Sequence, residues 1–146
     1  MKRDFAVAVK AIVVRENKVL LLHRAAEEIK HSYMNKKEQW DLPGGGIHYF
    51  ERSEEGLLRE IKEETSLCVK IIKPFKLFDM IKPHVHLCIF TYLCTYECGE
   101  VILSAEHDDY FWLTLEQVQQ WDLPKWLKRD FTQVLTEIEK DNHMTL

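Results

Sequence analysis

The sequence predicts a mixed α/β fold, a mixed sheet with helices on its faces. Three observations carry that expectation. Apolar, β-branched runs open the chain at 5–14 and 19–22. A helix-period stretch occupies 53–65, and a second follows Pro124. The 146 residues fit one domain spanning 1–146. With 46% hydrophobic and 30% charged residues, the chain can bury a core without disulfides or a structural metal.

Each element has its own cause. Phe5 to Val14 is small and β-branched, Glu16-Asn17 reads as a turn, and Val19 to Leu22 reads as a second strand completing a hairpin. Residues 25–38 are polar without a period and read as a loop. Trp40-Asp41-Leu42-Pro43 is a short extended piece running into Gly44-Gly45-Gly46, which reads as a turn. In 53–65, Leu57, Leu58, Ile61 and Thr65 share one helix face, Ser53 is placed to cap, and Glu54 and Glu55 occupy the first turn. Residues 68–80 and 84–96 read as strands split by Lys82-Pro83. The second is apolar on both alternate faces, as a central strand covered on both sides would be. Tyr110 to Leu113 is a short strand after an acidic loop. Pro124 suits a first helical turn, followed by the stripe Leu127, Phe131, Val134 and Ile138.

The net charge of −4 and pI near 6.0 leave no basic footprint, which argues against long nucleic acid as a partner. Met1-Lys2-Arg3-Asp4 has mixed charge and Lys10 interrupts the apolar run after it, so neither a signal peptide nor a membrane span is expected. Cys68, Cys88, Cys94 and Cys98 form no C-x-x-C pair. Reduced thiols in a cytoplasm are the expectation.

The chemistry concentrates between Gly45 and Leu67. At about 100° per residue, Glu60, Glu63 and Glu64 fall within a helix arc of roughly 100°. Carboxylates at such spacings repel and destabilise a helix. A hard divalent cation removes that penalty, and Mg²⁺ takes oxygen ligands while keeping waters for exchange with phosphate oxygens. On charge alone a solvated acidic face is as good a reading, since Arg59 has Glu55 and Glu63 at i±4 and Arg52 and Lys62 lie nearby.

The spacing separates the two. Gly45, Glu51, Arg59-Glu60, Ile61, Glu63-Glu64 and Leu67 fit G-x5-E-x7-R-E-U-x-E-E-x-G-U, with U aliphatic, at every defined position except Ser66, where glycine is usual. This stretch, entered through Trp40-Asp41-Leu42-Pro43-Gly44-Gly45, resembles the box of the Nudix (MutT-like) hydrolases. The resemblance implies an α/β/α sandwich around a mixed sheet with a loop–helix–loop catalytic motif. It implies metal-dependent hydrolysis of a phosphoanhydride bond in a nucleoside diphosphate linked to another moiety, with Mg²⁺ or Mn²⁺ as cofactor. It further implies that Glu60, Glu63, Glu64 and the Gly44 carbonyl bind metal, and that Glu60 or Glu63 orients the attacking water. Gly45, Glu51 and Arg59 would be structural, with Glu51 and Arg59 paired. A further acid from a later loop is usual in such enzymes. Glu106, Asp108 and Asp109 stand there, and Asp109 is favoured by its offset to Trp112. Serine takes a left-handed helix exit less readily than glycine, so a tighter or reshaped exit is expected at Ser66.

Other constellations are weaker. His84, His86 and Cys88 alternate on one strand, with Cys94 and Cys98 at the same parity. That strand reads as buried and the spacing matches no usual zinc knuckle, so core packing is the expectation. No G-x-S-x-G is present, and no Lys-Ser/Thr follows the glycines as in a P-loop. Tyr33, Tyr49, Phe50 and Phe111 are candidates for base stacking, and Arg24, Lys36 and Lys37 for phosphate contact. A catalytically inactive Nudix-fold nucleotide sensor is the alternative, disfavoured by the intact glutamate set. An acidic interaction helix leaves the adjoining glycines unexplained. Pro83 lies where some ADP-ribose hydrolases carry a marker proline, but one proline between strands does not name a substrate. Family members are often dimers, to which the Trp121/Trp126 segment could contribute if exposed.

Overall fold

The computed structural model describes residues 4–31 and 39–144, so Tyr33, Lys36 and Lys37 lie outside the described residues. Strand β1 (Asp4–Arg15) turns into β2 (Lys18–Arg24) through Glu16 and Asn17, both left-handed (φ 50° and 61°). Two positive φ angles make the tight turn whose twist matches paired strands. Next comes α1 (Ala26–His31), a helix inside the stretch expected to be a loop. It has Glu27 and Glu28 in its first turn, and six residues are too few to display an apolar period.

After β3 (Trp40–Asp41), the glycines form a strand rather than a turn: β4 (Gly44–Gly46) pairs antiparallel with β1, Gly44 opposite Lys10 and Gly45 opposite Val9. A Cβ on Gly44 would stand 2.0 Å from the Val9 carbonyl oxygen, and Gly44 has φ 140°. Only glycine permits that approach.

Helix α2 (Ser53–Thr65) then leads to the long strands β5 (Cys68–Lys82) and β6 (Val85–Cys98). Strand β7 (His107–Leu113), α3 (Leu115–Gln120) and α4 (Lys125–Met144) complete the chain. Arg52, not Ser53, is the N-cap of α2, and it makes no side-chain cap. The Ser53 hydroxyl instead lies 2.9 Å from the Tyr92 hydroxyl, fastening the helix start to β6. Helix α3 follows a capping box. The Gln117 N–H donates to Thr114 Oγ1 (3.2 Å), and the Thr114 N–H donates to Gln117 Oε1 (2.9 Å). Pro124 immediately precedes α4, its carbonyl accepting from the Lys128 N–H.

The sheet runs β3-β2-β1-β6-β5, with β4 also on β1 and β7 also on β2. Among the described residues only β1 and β6 pair in parallel, which makes the sheet mixed. Alternation along β1 divides the core in two. Val9, Ala11 and Val13 pack with Leu57 and Ile61 of α2. Ile12 and Val14 pack with Val118 of α3 and Leu127, Phe131 and Val134 of α4. The result is an α/β/α sandwich. Along β6 the expected two-sided burial holds at Thr91, Tyr92 and Cys94, while residues 86–90 are only half-buried and His84 is exposed.

Candidate active site

Helix α2 buries Leu57, Ile61, Glu64 and Thr65, and leaves Leu58 42% exposed. Glu64 thus replaces Leu58 on the expected core face and lies at the seam between core and acidic side. Its Oε2 accepts from the Gly44 N–H at 3.0 Å. Burial, with Asp41 and Glu106 near, pushes the Glu64 carboxyl up to about 8, against the opposing Lys10 ammonium and Gly44 N–H. Glu60 packs on the same strand: a Cβ on Gly45 would come within 2.7 Å of Glu60 Oε2. The glycines and the glutamates are therefore one piece of geometry.

Arg59 organises the other carboxylates. Its Nε and Nη2 donate to Glu51 Oε2 (2.7 Å) and Oε1 (3.0 Å), a bidentate pair. Its Nη1 donates to Glu60 Oε1 (3.0 Å) and Glu63 Oε2 (3.2 Å), and Nη2 reaches the Gly46 carbonyl (3.2 Å). Glu51 also accepts from the His48 N–H at 2.8 Å. The Arg59 guanidinium and then that N–H hold Glu51 down at about 2, and Glu51 in turn raises Arg59 above its usual range.

A second charged group joins the glycine strand to the rest of the sheet. Asp41 is held by Lys10 (3.1 Å), Arg24 (3.1 Å) and His107 (3.0 Å). Burial alone would raise it. Lys10, the His107 hydrogen bond and Arg24 overcome that and hold it far below the carboxylate range. Arg24, a candidate for phosphate contact, is committed to this pair and buried. Lys10 also donates to the Leu42 and Gly44 carbonyls at 3.2 and 3.4 Å. Beyond Lys10 a cleft of about 400 Å³ opens between the sheet and α4. Its wall carries Trp40, Phe78, Met80 and Trp126, and its basic groups are Lys10, Lys76, Lys82 and Arg129. Lys76 is 2.6 Å from Asp130 and sits 5.5 Å from the Trp126 ring centre.

Comparison with known proteins decides the family. The NUDIX domain pattern matches residues 4–135. The nucleoside triphosphatase NudI of Escherichia coli O17:K52:H18 (strain UMN026 / ExPEC) is 34% identical over 96 residues, 58% of this chain and 68% of that protein. That of Klebsiella pneumoniae (strain 342) is 32% identical over the same shares. Among solved structures, the MutT protein from Methanosarcina mazei Go1 superposes with TM-score 0.74 at 27% identity, covering 96% of this chain and 99% of that one. The chain belongs to the Nudix hydrolase family.

In this Nudix hydrolase Ser66 keeps the left-handed exit, with φ 65° and ψ 10°, and its N–H donates to the Lys62 carbonyl. Serine has therefore not reshaped the exit. It occupies the glycine conformation, and its hydroxyl donates to the Ile102 carbonyl at 3.4 Å. In the acidic loop, Asp109 lines a second cleft of about 410 Å³ with His23, Asp108, Phe111 and Trp40, which the two clefts share, and Asp108 pairs with His23 at 2.6 Å. Glu106 is the acid of that trio whose charge acts on Glu64. Tyr49 and Phe50 stack edge-on at 4.4 Å and are 88% and 95% exposed, while Phe111 packs on Trp121. Trp121 and Trp126 are both used within the chain, in the core and the cleft wall. Among the described residues, no helix is long and apolar enough to cross a membrane.

Proposed function

We propose that the chain hydrolyses a phosphoanhydride bond of a nucleoside triphosphate or related nucleoside diphosphate derivative, using Mg²⁺ or Mn²⁺ held by Glu60, Glu63, Glu64 and the Gly44 carbonyl. The observation that carries this is the convergence of Glu60 and Glu64 on the Gly44–Gly45 strand, Glu64 through a 3.0 Å hydrogen bond and Glu60 against a position where no Cβ fits. The donors are hard oxygens, as those cations require. A carboxyl pushed up to about 8 by burial is also a group whose ionised form gains from a nearby cation. Nudix hydrolases generally use divalent metals. When bound, the metal neutralises the diphosphate and lowers the pKa of a coordinated water.

The chain's own residues do the rest. Glu63, the exposed member of the set, or Glu60 takes the proton from the attacking water. The water oxygen bonds to phosphorus, the bridging P–O bond breaks, and its electron pair leaves on the departing phosphate. Arg59, locked to Glu51, holds the loop against the helix. Glu106, whose charge acts on Glu64, is the candidate for the further acid, with Asp109 the alternative. The cleft beyond Lys10 fits the nucleoside: Trp126 and Trp40 offer stacking surfaces, and the basic groups that line it favour phosphate. The names of the NudI relatives support a nucleoside triphosphate as substrate.

The test is a product-release panel of nucleoside triphosphates, nucleotide sugars, ADP-ribose, dinucleoside polyphosphates and NADH, with Mg²⁺, with Mn²⁺ and with chelator. Metal-dependent cleavage of a triphosphate is expected. Equal turnover in chelator would remove the metal reading, and cleavage of a nucleotide sugar alone would move the substrate class.

A further inference from the structure

Outside the acidic helix, a second donor set lies on the β5–β6 hairpin. Asp79 of β5 is the cross-strand partner of Cys88, and His86 stands two residues before Cys88 on the same strand face. Three different ligand chemistries are thereby brought to one spot. His86 Nε2 lies 2.9 Å from Asp79 Oδ1, Cys88 Sγ lies 3.2 Å from the same oxygen, and Sγ and Nε2 are 3.8 Å apart. The Phe5 ring meets His86 edge-on, with centroids 5.2 Å apart. Asp79 and His86 are half-open to solvent, so an ion has a way in.

The arrangement does not suit nucleophilic catalysis. The carboxylate, not the imidazole, stands between the other two groups, so it holds the proton on the thiol. It does suit coordination. Tetrahedral zinc with ordinary Zn–N, Zn–O and Zn–S bonds sets its ligand atoms roughly 3.3–3.6 Å apart. The observed separations differ from that by a few tenths of an ångström, within reach of side-chain rotation. Thiolate with imidazole and one carboxylate selects a borderline cation of the zinc class and disfavours Mg²⁺ or Mn²⁺.

The geometry points to a second metal site at Asp79, His86 and Cys88 that binds a zinc-class divalent cation through three side chains and leaves a fourth position to water. The ion replaces the thiol proton, which passes to solvent, and no oxidation or reduction is involved. Phe78 and Met80, the neighbours of Asp79, line the cleft on the opposite face of the sheet. An ion here ties together the two strands that make the cleft wall.

The test uses the full chain stripped of metal and titrated with Co²⁺ in excess Mg²⁺, which saturates sites built of carboxylates. A near-ultraviolet thiolate-to-cobalt band is expected in the parent and is displaced by Zn²⁺. The band is lost in Cys88→Ser and weakened in His86→Gln and Asp79→Asn. It survives in Cys68→Ser, Cys98→Ser and Glu63→Gln, the last of which separates this site from the proposed catalytic metal. Circular dichroism checks that each variant is folded, and His86→Gln carries the test should Cys88→Ser unfold. A parent without a thiolate band, or a band that persists in Cys88→Ser, would overturn the assignment.

Discussion

The acidic helix and the cleft wall are built on opposite plans. The helix site draws all its groups but the proposed Glu106 from one continuous stretch, Gly44 to Ser66, and binds them to each other: Arg59 alone touches Glu51, Glu60, Glu63 and the Gly46 carbonyl. The cleft collects Lys10, Trp40, Lys76, Trp126 and Arg129 from four elements, β1, β3, β5 and α4. Phosphate chemistry needs fixed carboxylates at fixed spacing, which one loop–helix unit supplies. Recognition of the rest of a substrate needs only a shaped surface, which any set of strands and helices can contribute. Changes in the helix should therefore lower kcat, and changes in the cleft should raise KM.

The largest expected effect is Glu63→Gln. Its side chain is 57% exposed and is hydrogen-bonded to Arg59 at 3.2 Å, on the side of the helix away from the core, so the fold should persist. Turnover with Mg²⁺ should fall by about 10²-fold or more, the usual contribution of a general base. Steady-state kinetics with a melting curve on the same sample checks both halves. Activity equal to the parent would sink the assignment of the helix as the catalytic side.

Asp41→Asn attacks the joint between the two regions. Lys10 and Arg24 would lose their shared buried counter-charge, a change that typically costs about 3–5 kcal/mol. Urea unfolding should show a lower midpoint with an unchanged slope. A loss under about 1 kcal/mol would mean that the network is wet and does not hold the glycine strand.

Next comes a pH effect that separates two carboxylates of the same helix site. Glu51 is held down at about 2, so the stability it contributes is present above its ordinary 4.5 and is lost as pH falls through 2. Glu64 is raised to about 8, so its contribution is full below 4.5 and is lost as pH rises through 8. In chelator, Glu64→Gln should match the parent near pH 4 and exceed it near pH 9 by on the order of a few kcal/mol. Thermal melts at both pH values with chelator and with Mg²⁺ measure it. Equal melting of the two proteins at pH 9 would show that Glu64 is not taxed by burial.

Legibility in the sequence follows the same division. The box could be read because helical period and fixed spacing are local properties, and Glu51 and Arg59 pair as the family resemblance implied. The two-residue turn at Glu16-Asn17 and the stripe Leu127, Phe131, Val134 were readable for the same reason. What escaped depends on distant partners. Gly44–Gly46 became a strand because β1 offered it an edge. Glu64 rather than Leu58 went inward because the Gly44 N–H accompanies it. His86 and Cys88 are only half-buried, and both meet Asp79 across the hairpin, a partner that the period of β6 cannot show. Helix α3 is the exception, since the capping box Thr114-Leu115-Glu116-Gln117 stood in the sequence as a local signal.

Within the cleft, Trp126→Leu keeps apolar packing on α4 and removes the stacking face. KM for the best substrate should rise about tenfold, the lower range of a base–aromatic stack, with kcat little changed. The reverse pattern, kcat lost at constant KM, would put the cleft on the chemical step and break the division of labour.

The smallest effect tests whether the one departure from the box has a cost. Ser66 sits at φ 65°, a conformation in which its Cβ crowds the carbonyl and which glycine adopts freely. Against that stands one long hydrogen bond from Ser66 Oγ to the Ile102 carbonyl, at 3.4 Å, which is worth little. Ser66→Gly should therefore raise stability by about 1 kcal/mol, a shift of a few degrees in Tm. The exit is already in the left-handed conformation that glycine favours, and no proposed ligand moves, so kcat/KM should stay where it is. A destabilised variant would mean that the hydroxyl, through the 99–104 segment beside it, holds the end of α2 more firmly than its length implies. Lost activity in the same variant would then trace to Glu63 and Glu64 on the last turn of the helix, coupling the departure from the box to the chemistry it was expected to leave alone.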